Sequence, residues 1–255
     1  MILSSKGIIL KVFPYSNTSV ICNVFTDSHG KLTFIAKGIR KPKNPLLSIL
    51  QPFNLLQLHY YYKKNRSMQL IKEADILISF DNIRNNFSSI IVGSNIINII
   101  NRIFEQGYPN EIIFRLIYKT LHRLSDKNDK NKVFFIFFIF HLLKQLGLMP
   151  NINRCYLCNT LFSNTGIFSY SLKSLVCSSC NGHDLSEFNI NVNIENIQFL
   201  NLIDKTNINE ILDLSITPKR LYEIYIFLIS FMRCHIQYMN NIKGIEEVEK
   251  IYYEH

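Results

Sequence analysis

Acidic side chains are nearly absent from the first third of this chain: residues 1–80 hold 11 Lys and Arg but only Asp27, Glu73 and Asp75. That leaves this segment with a net +8, against +9 for the whole 255 residues. An excess of one sign confined to one segment excludes an even, featureless surface charge and points to a polyanion, most often nucleic acid; a lysine-rich solvated surface is the plainer alternative. Long hydrophobic runs are missing too. The most apolar stretch, Val133 to Leu143, covers 11 residues, about half of the roughly 20 a membrane span needs, and is expected to be a buried core helix, with no membrane partner. The opening Met1-Ile2-Leu3-Ser4-Ser5-Lys6 has neither the charged nor the apolar region of a signal peptide, so a cytoplasmic protein with reduced cysteines is expected.

Signatures of chemistry are also absent. The sequence contains no Gly-x4-Gly-Lys-Ser/Thr phosphate loop, no Gly-x-Gly-x2-Gly dinucleotide turn and no Gly-x-Ser-x-Gly elbow. Its acidic residues are scattered, without the cluster a two-metal nuclease needs. His122, His141 and His235 fall in helical stretches and read as structural or surface histidines. Cys22 and Cys234 read as small buried residues. No enzyme activity and no small-molecule substrate are expected.

What is present is a set of four cysteines in two close pairs, Cys155-x2-Cys158 and Cys177-x2-Cys180. Each pair can place two thiolates on one tight turn, and residues 159–176 suffice for a hairpin that brings the turns together. Four thiolates complete a tetrahedral shell, so the spacing predicts a structural zinc site with no open position for substrate or activated water. Two disulfides or four incidental thiols are the alternatives. His183 and Asp184 stand close by in sequence but are not needed as ligands.

Residues 1 to about 80 alternate as strands and turns: Ile8–Phe13, Ser19–Thr26, Lys31–Lys37, Phe53–Tyr62 and Ser67–Ile76, with Asp27-Ser28-His29-Gly30 as a hairpin turn. Five short strands in this length fit a small closed or nearly closed barrel. Two basic loops stand out on it. Lys37-Gly38-Ile39-Arg40-Lys41-Pro42-Lys43 could reach several phosphates; Lys63-Lys64-Asn65-Arg66 follows Tyr60-Tyr61-Tyr62, where aromatics could stack bases. Simple alternation would instead put Tyr61 in the core. With Lys31, the candidate nucleic-acid contacts are Lys37, Arg40, Lys41, Lys43, Lys63, Lys64 and Arg66.

From about 81 onward the periodicity is helical. Ile90 to Phe104, Glu111 to Leu124 and Val133 to Leu146 read as helices, with a charged connector at 127–132. The cysteine module spans about 151–184. Short helices follow at 195–202 and 209–214, and a final helix runs from Thr217-Pro218 to about Met239, Thr217 capping and Pro218 in the first turn. The expected organisation is α+β and multi-domain: a five-stranded barrel over 1–80, then a helical domain over 81–255 carrying the inserted four-cysteine module.

The same residues resemble the RecO family of bacterial recombination mediators. The resemblance runs from Gly7 to about Gly244, through Phe25-Thr26-Asp27-Ser28-His29-Gly30-Lys31-Leu32, Ala36-Lys37-Gly38-Ile39-Arg40-Lys41-Pro42-Lys43 and Leu50-Gln51-Pro52-Phe53, then Leu146-Gly147-Leu148-Met149-Pro150 and Arg154-Cys155. It implies that the barrel over 1–80 is a five-stranded OB-fold and that an all-α domain over 81–255 carries an inserted four-cysteine zinc ribbon. It implies binding of single- and double-stranded DNA, annealing of complementary strands, and help in loading the RecA recombinase onto DNA coated by single-strand-binding protein. It also implies RecR as partner, sometimes with RecF, in a bacterial cytoplasm at the nucleoid, and no covalent chemistry. Two other readings stay open from the residues alone: a zinc-dependent enzyme on nucleic acid, and a protein-interaction adaptor that does not touch DNA.

Overall fold

The computed structural model describes residues 1–40, 44–126, 129–180, 189–236 and 245–253. They form two compact units, Met1–Lys127 and Asn128–His255.

The first unit is built on a barrel of β1 (Ile2–Tyr15), β2 (Ser19–Thr26), β3 (Gly30–Ala36), β4 (Leu55–Tyr61) and β5 (Gln69–Ile78). The strands close in the order β1-β2-β3-β5-β4, all antiparallel except the β3–β5 pair. This is the five-stranded OB-type arrangement. Period-two patterning produces it: on β3, Leu32, Phe34 and Ala36 turn inward while Lys31, Thr33 and Ile35 stay partly exposed. The interior is filled by Ile9, Val24, Phe34, Leu58 and Tyr60 with their neighbours, and α1 (Leu46–Ile49) closes over it beside Ile39 and Leu50.

The β2–β3 turn depends on one glycine. Gly30 has φ +63°, and a Cβ there would lie 1.9 Å from the carbonyl oxygen of Tyr108. Thr26 braces the turn, its hydroxyl donating to the Gly30 carbonyl at 2.8 Å and accepting from the His29 N–H at 3.0 Å. The first strand is longer than the apolar run Ile8–Phe13 suggests, because Ile2–Ile8 pairs with β4 and Lys11–Tyr15 pairs with β2 around a bulge at Leu10.

Helices α2 (Asp81–Arg84), α3 (Phe87–Ile103) and α4 (Glu111–Ser125) belong to the same unit. Asn86 and Asn110 cap α3 and α4, accepting from the Ser89 and Ile113 N–H groups.

The second unit holds α5 (Asn131–Gln145), β6 (Thr165–Ser169), β7 (Ser174–Val176), β8 (Ile190–Asn193), α6 (Ile194–Lys205), a single 3-10 turn at Glu210–Asp213, α7 (Pro218–His235) and α8 (Ile245–Tyr253). Every α5 residue from Val133 to Phe140 is buried, as are Leu142 and Leu143. This is a core helix, apolar on all sides. Each such side chain contributes about 1.5–3 kcal/mol on burial. Thr217 caps α7, accepting from the Arg220 N–H, with Pro218 in the first turn. The helix stops at His235 rather than near Met239; residues 237–239 lie outside the described residues. No helix among the described residues is long and apolar enough to cross a membrane.

Candidate metal centre and nucleic-acid interface

The two cysteine pairs meet. The sulfurs of Cys155, Cys158, Cys177 and Cys180 all lie within 4.8 Å of one another, and Cys158 and Cys177 are 3.7 Å apart. The first pair sits on a tight turn: the Cys155 N–H donates to the Thr160 carbonyl and the Asn159 N–H to the Cys155 carbonyl, each at 2.9 Å, with Asn159 at φ +60°. The second follows β7, where the Cys180 N–H donates to the Cys177 carbonyl at 3.1 Å. The 159–176 segment forms the expected hairpin, β6 pairing antiparallel with β7, and β8 adds a third strand on the other edge of β6.

This geometry fits a metal ion. Metal–sulfur bonds of about 2.3 Å in a tetrahedron put the sulfurs roughly 3.8 Å apart. Without a cation the thiols cannot all ionise at such distances. Hydrogen bonding to the Thr160 hydroxyl, 3.2 Å away, and to the Thr160 N–H holds the Cys158 thiol down to about 6. Burial pushes the Cys155 thiol up, but backbone N–H groups of Cys158, Cys177 and Leu157 outweigh it, so the net shift is downward. Cys180 is left with the proton, pushed up to about 12 by its contacts with Cys158 and Cys177. A divalent cation at the centre relieves that conflict: it draws off the protons, binds all four thiolates and offsets half of their charge. The four-cysteine cluster could thus hold a metal, with every position of a tetrahedral shell supplied by sulfur.

On the barrel, Lys63, Lys64 and Arg66 are exposed on the β4–β5 loop. Their loop is pinned from below by Gln69, which is 3% exposed. Its side-chain oxygen accepts from the Lys63 N–H at 2.8 Å, and its amide donates to the Lys63 and Arg66 carbonyls at 3.1 and 3.0 Å. Lys37 and Arg40 are exposed beyond β3, on a loop bent at Gly38 with φ +73°. Arg40 is tied to the β1–β2 loop: its N–H donates to the Thr18 carbonyl at 3.0 Å and its guanidinium to the Ser16 carbonyl at 3.3 Å. The β4–β5 loop, and the β1–β2 loop to which Arg40 is bound, are ones that OB barrels use to hold oligonucleotides.

Two family models cover the chain. "Recombination protein O N terminal" matches residues 1–80 and "Recombination protein O C terminal" matches residues 84–240. The chain belongs to the RecO family. A protein of Alkaliphilus metalliredigens named DNA repair protein RecO is 26% identical over 251 residues, covering 98% of this chain and all of that one. The protein of the same name from Salinibacter ruber is 31% identical over 60% of this chain and 59% of its own, and that from Bacillus subtilis 25% identical over 71% and 69%.

Within this RecO chain the other expected contacts fall differently. Lys41 and Lys43 lie outside the described residues, as do His183 and Asp184. Lys31 does not project freely: its ammonium donates to the Asn101 carbonyl at 2.6 Å, in the last turn of α3, and the Gly107 N–H donates to the Lys31 carbonyl at 3.0 Å. Burial lowers the Lys31 pKa, with Glu105 acting against the shift. The tyrosines reverse the alternation expected of them. Tyr60 is fully buried and Tyr61 is 41% exposed. The register explains this: Tyr60 pairs opposite Leu3 and Ile71, and packs its ring edge-on against Phe34 at 4.9 Å. Its hydroxyl lies 3.0 Å from the Ser5 hydroxyl and 3.2 Å from His29 Nδ1, and burial pushes its phenol above the ordinary range. Tyr62 tilts against His29 at 5.3 Å beside the basic loop. The roles of Gln69 and His29 escape the sequence; their only trace is a polar side chain at a buried strand position and a turn histidine.

Proposed function

We propose that this chain is a DNA repair and recombination mediator that binds single- and double-stranded DNA and anneals complementary strands. It would also help load the RecA recombinase onto DNA coated by single-strand-binding protein. The observation that carries the reading is the closed barrel with Lys63, Lys64 and Arg66 exposed on the β4–β5 loop and Lys37 and Arg40 exposed beyond β3, in a member of the RecO family. These cations would neutralise phosphates on two strands, lower their mutual repulsion and release counterions, without covalent chemistry. Lys31 would act from behind, holding the barrel to α3. RecR, sometimes with RecF, would be the partner, and the bacterial cytoplasm at the nucleoid the place of action. The metal would be zinc, in a structural role, since thiolate ligands at tetrahedral spacing suit it.

Replacing Lys63, Lys64 and Arg66 together by alanine tests the interface. The loop keeps its backbone bonds to Gln69, so the fold should survive. The slope of log affinity against log salt should flatten by about 0.7 per lost contact on single strands and 0.9 on duplex, roughly 2 to 3 in all. An unchanged slope would place the interface elsewhere.

A further inference from the structure

A cavity of about 450 Å³ opens in the second unit, where the first cysteine turn, the β6–β7 turn and the end of α7 come together. Its size falls within the roughly 300–1,000 Å³ of ligand sites. Each wall supplies a base: Arg154 from the residue before Cys155, Lys173 from the β6–β7 turn, His235 from the last residue of α7. No Asp or Glu lines it among the described residues. Two of the three are held in place. The Arg154 guanidinium donates to the Asn159 carbonyl at 2.9 Å, and Lys173 sits at φ +49° in its turn. The His235 ring stacks on Phe231 at 4.2 Å and 27°, its Nδ1 2.9 Å from the Phe231 carbonyl oxygen, which leaves Nε2 for another partner. At the rim Tyr156 is 65% exposed.

Cations without carboxylates call for an anion, and the exposed Tyr156 ring beside the half-buried His235 ring favours a planar partner above an aliphatic anchor. One nucleotide of a single strand has both parts. We infer that this pocket is a second nucleic-acid site, in which Arg154 and Lys173 hold a phosphate and Tyr156 and His235 flank the base. The inference rests on the DNA-binding reading above and extends it from the barrel to the cysteine module. It also gives the metal an indirect part, because Arg154, Tyr156 and Asn159 lie within or beside the turn that Cys155 and Cys158 anchor.

The test is anisotropy of a labelled oligo-dT across a salt series, on full-length protein with its metal content checked. The wild type is compared with Arg154→Ala/Lys173→Ala, with Lys173→Asn alone and with the triple alanine variant of the barrel loop. Asn removes the charge yet tolerates the left-handed backbone, so it keeps the test decisive if the double variant fails to fold. The double variant should flatten the salt slope by about 1.4, and Lys173→Asn by about 0.7. If the wild type binds and the barrel variant is weakened while both pocket variants keep wild-type affinity and slope, the pocket inference is overturned and the barrel reading stands. The pocket inference also falls if the double variant loses binding of a labelled acidic peptide but not of oligo-dT. A wild type that binds no oligonucleotide at low salt overturns both readings.

Discussion

Lys31 shows how one residue can carry the right charge and the wrong job. From sequence it belongs with the other cations of the first 80 residues. In the fold its ammonium faces the carbonyl of Asn101, 70 positions away, at the end of a helix where positive charge is favoured. Lys31→Ala should lower stability by about 1–2 kcal/mol, the scale of a partly exposed hydrogen bond to a charged group, and leave the salt dependence of DNA binding unchanged. Denaturant unfolding and a salt titration read the two effects apart. The tyrosine register fails to show in the sequence for a related reason. Three consecutive tyrosines satisfy either phase of a period-two pattern, and only pairing with Leu3 and Ile71 sets Tyr60 inward. The meeting of the four cysteines, by contrast, is legible, because it depends on the local spacing of each pair and on a short hairpin between them.

At the scale of elements, strands and helices with strong periodicity are readable to within a few residues: β2 coincides with Ser19–Thr26, and α4 begins at Glu111. One missed element, α8 at Ile245–Tyr253, lies beyond the helix expected to be the last; the other elements that escape the sequence lack such a signal. α1 and α2 span 4 residues each, and β8 reads Ile190-Asn191-Val192-Asn193, a pattern masked by the chain's many Ile and Asn residues. The ribbon is joined to the helices through Phe168, which is fully buried against Phe227 and Phe231 at 5.8 and 5.7 Å. Metal and helical core should therefore be coupled. Cys158→Ser, or extraction of the metal by a strong chelator, should abolish stoichiometric metal binding and lower the thermal midpoint of the second unit. A structural metal contributes several kcal/mol of folding energy, and its thiolate ligands bind less well as protons compete at lower pH. Metal analysis with calorimetry checks both; a metal-free protein with an unchanged midpoint would make the four thiols incidental.

For the molecule as a whole, part of the charge bias that opens the sequence stands on exposed loops of a closed barrel, as Lys37, Arg40, Lys63, Lys64 and Arg66. The annealing proposed for such a surface would be an electrostatic effect, needing no nucleotide and weakening as salt screens the phosphates. The most direct measurement is the rate at which two complementary oligonucleotides anneal with and without the purified protein, at low and high salt. Acceleration at low salt, without nucleotide, that fades as salt rises is the expected result. Equal rates with and without protein at low salt, together with no detectable DNA binding, would contradict it and leave the basic surface as solvated charge on a protein-interaction adaptor.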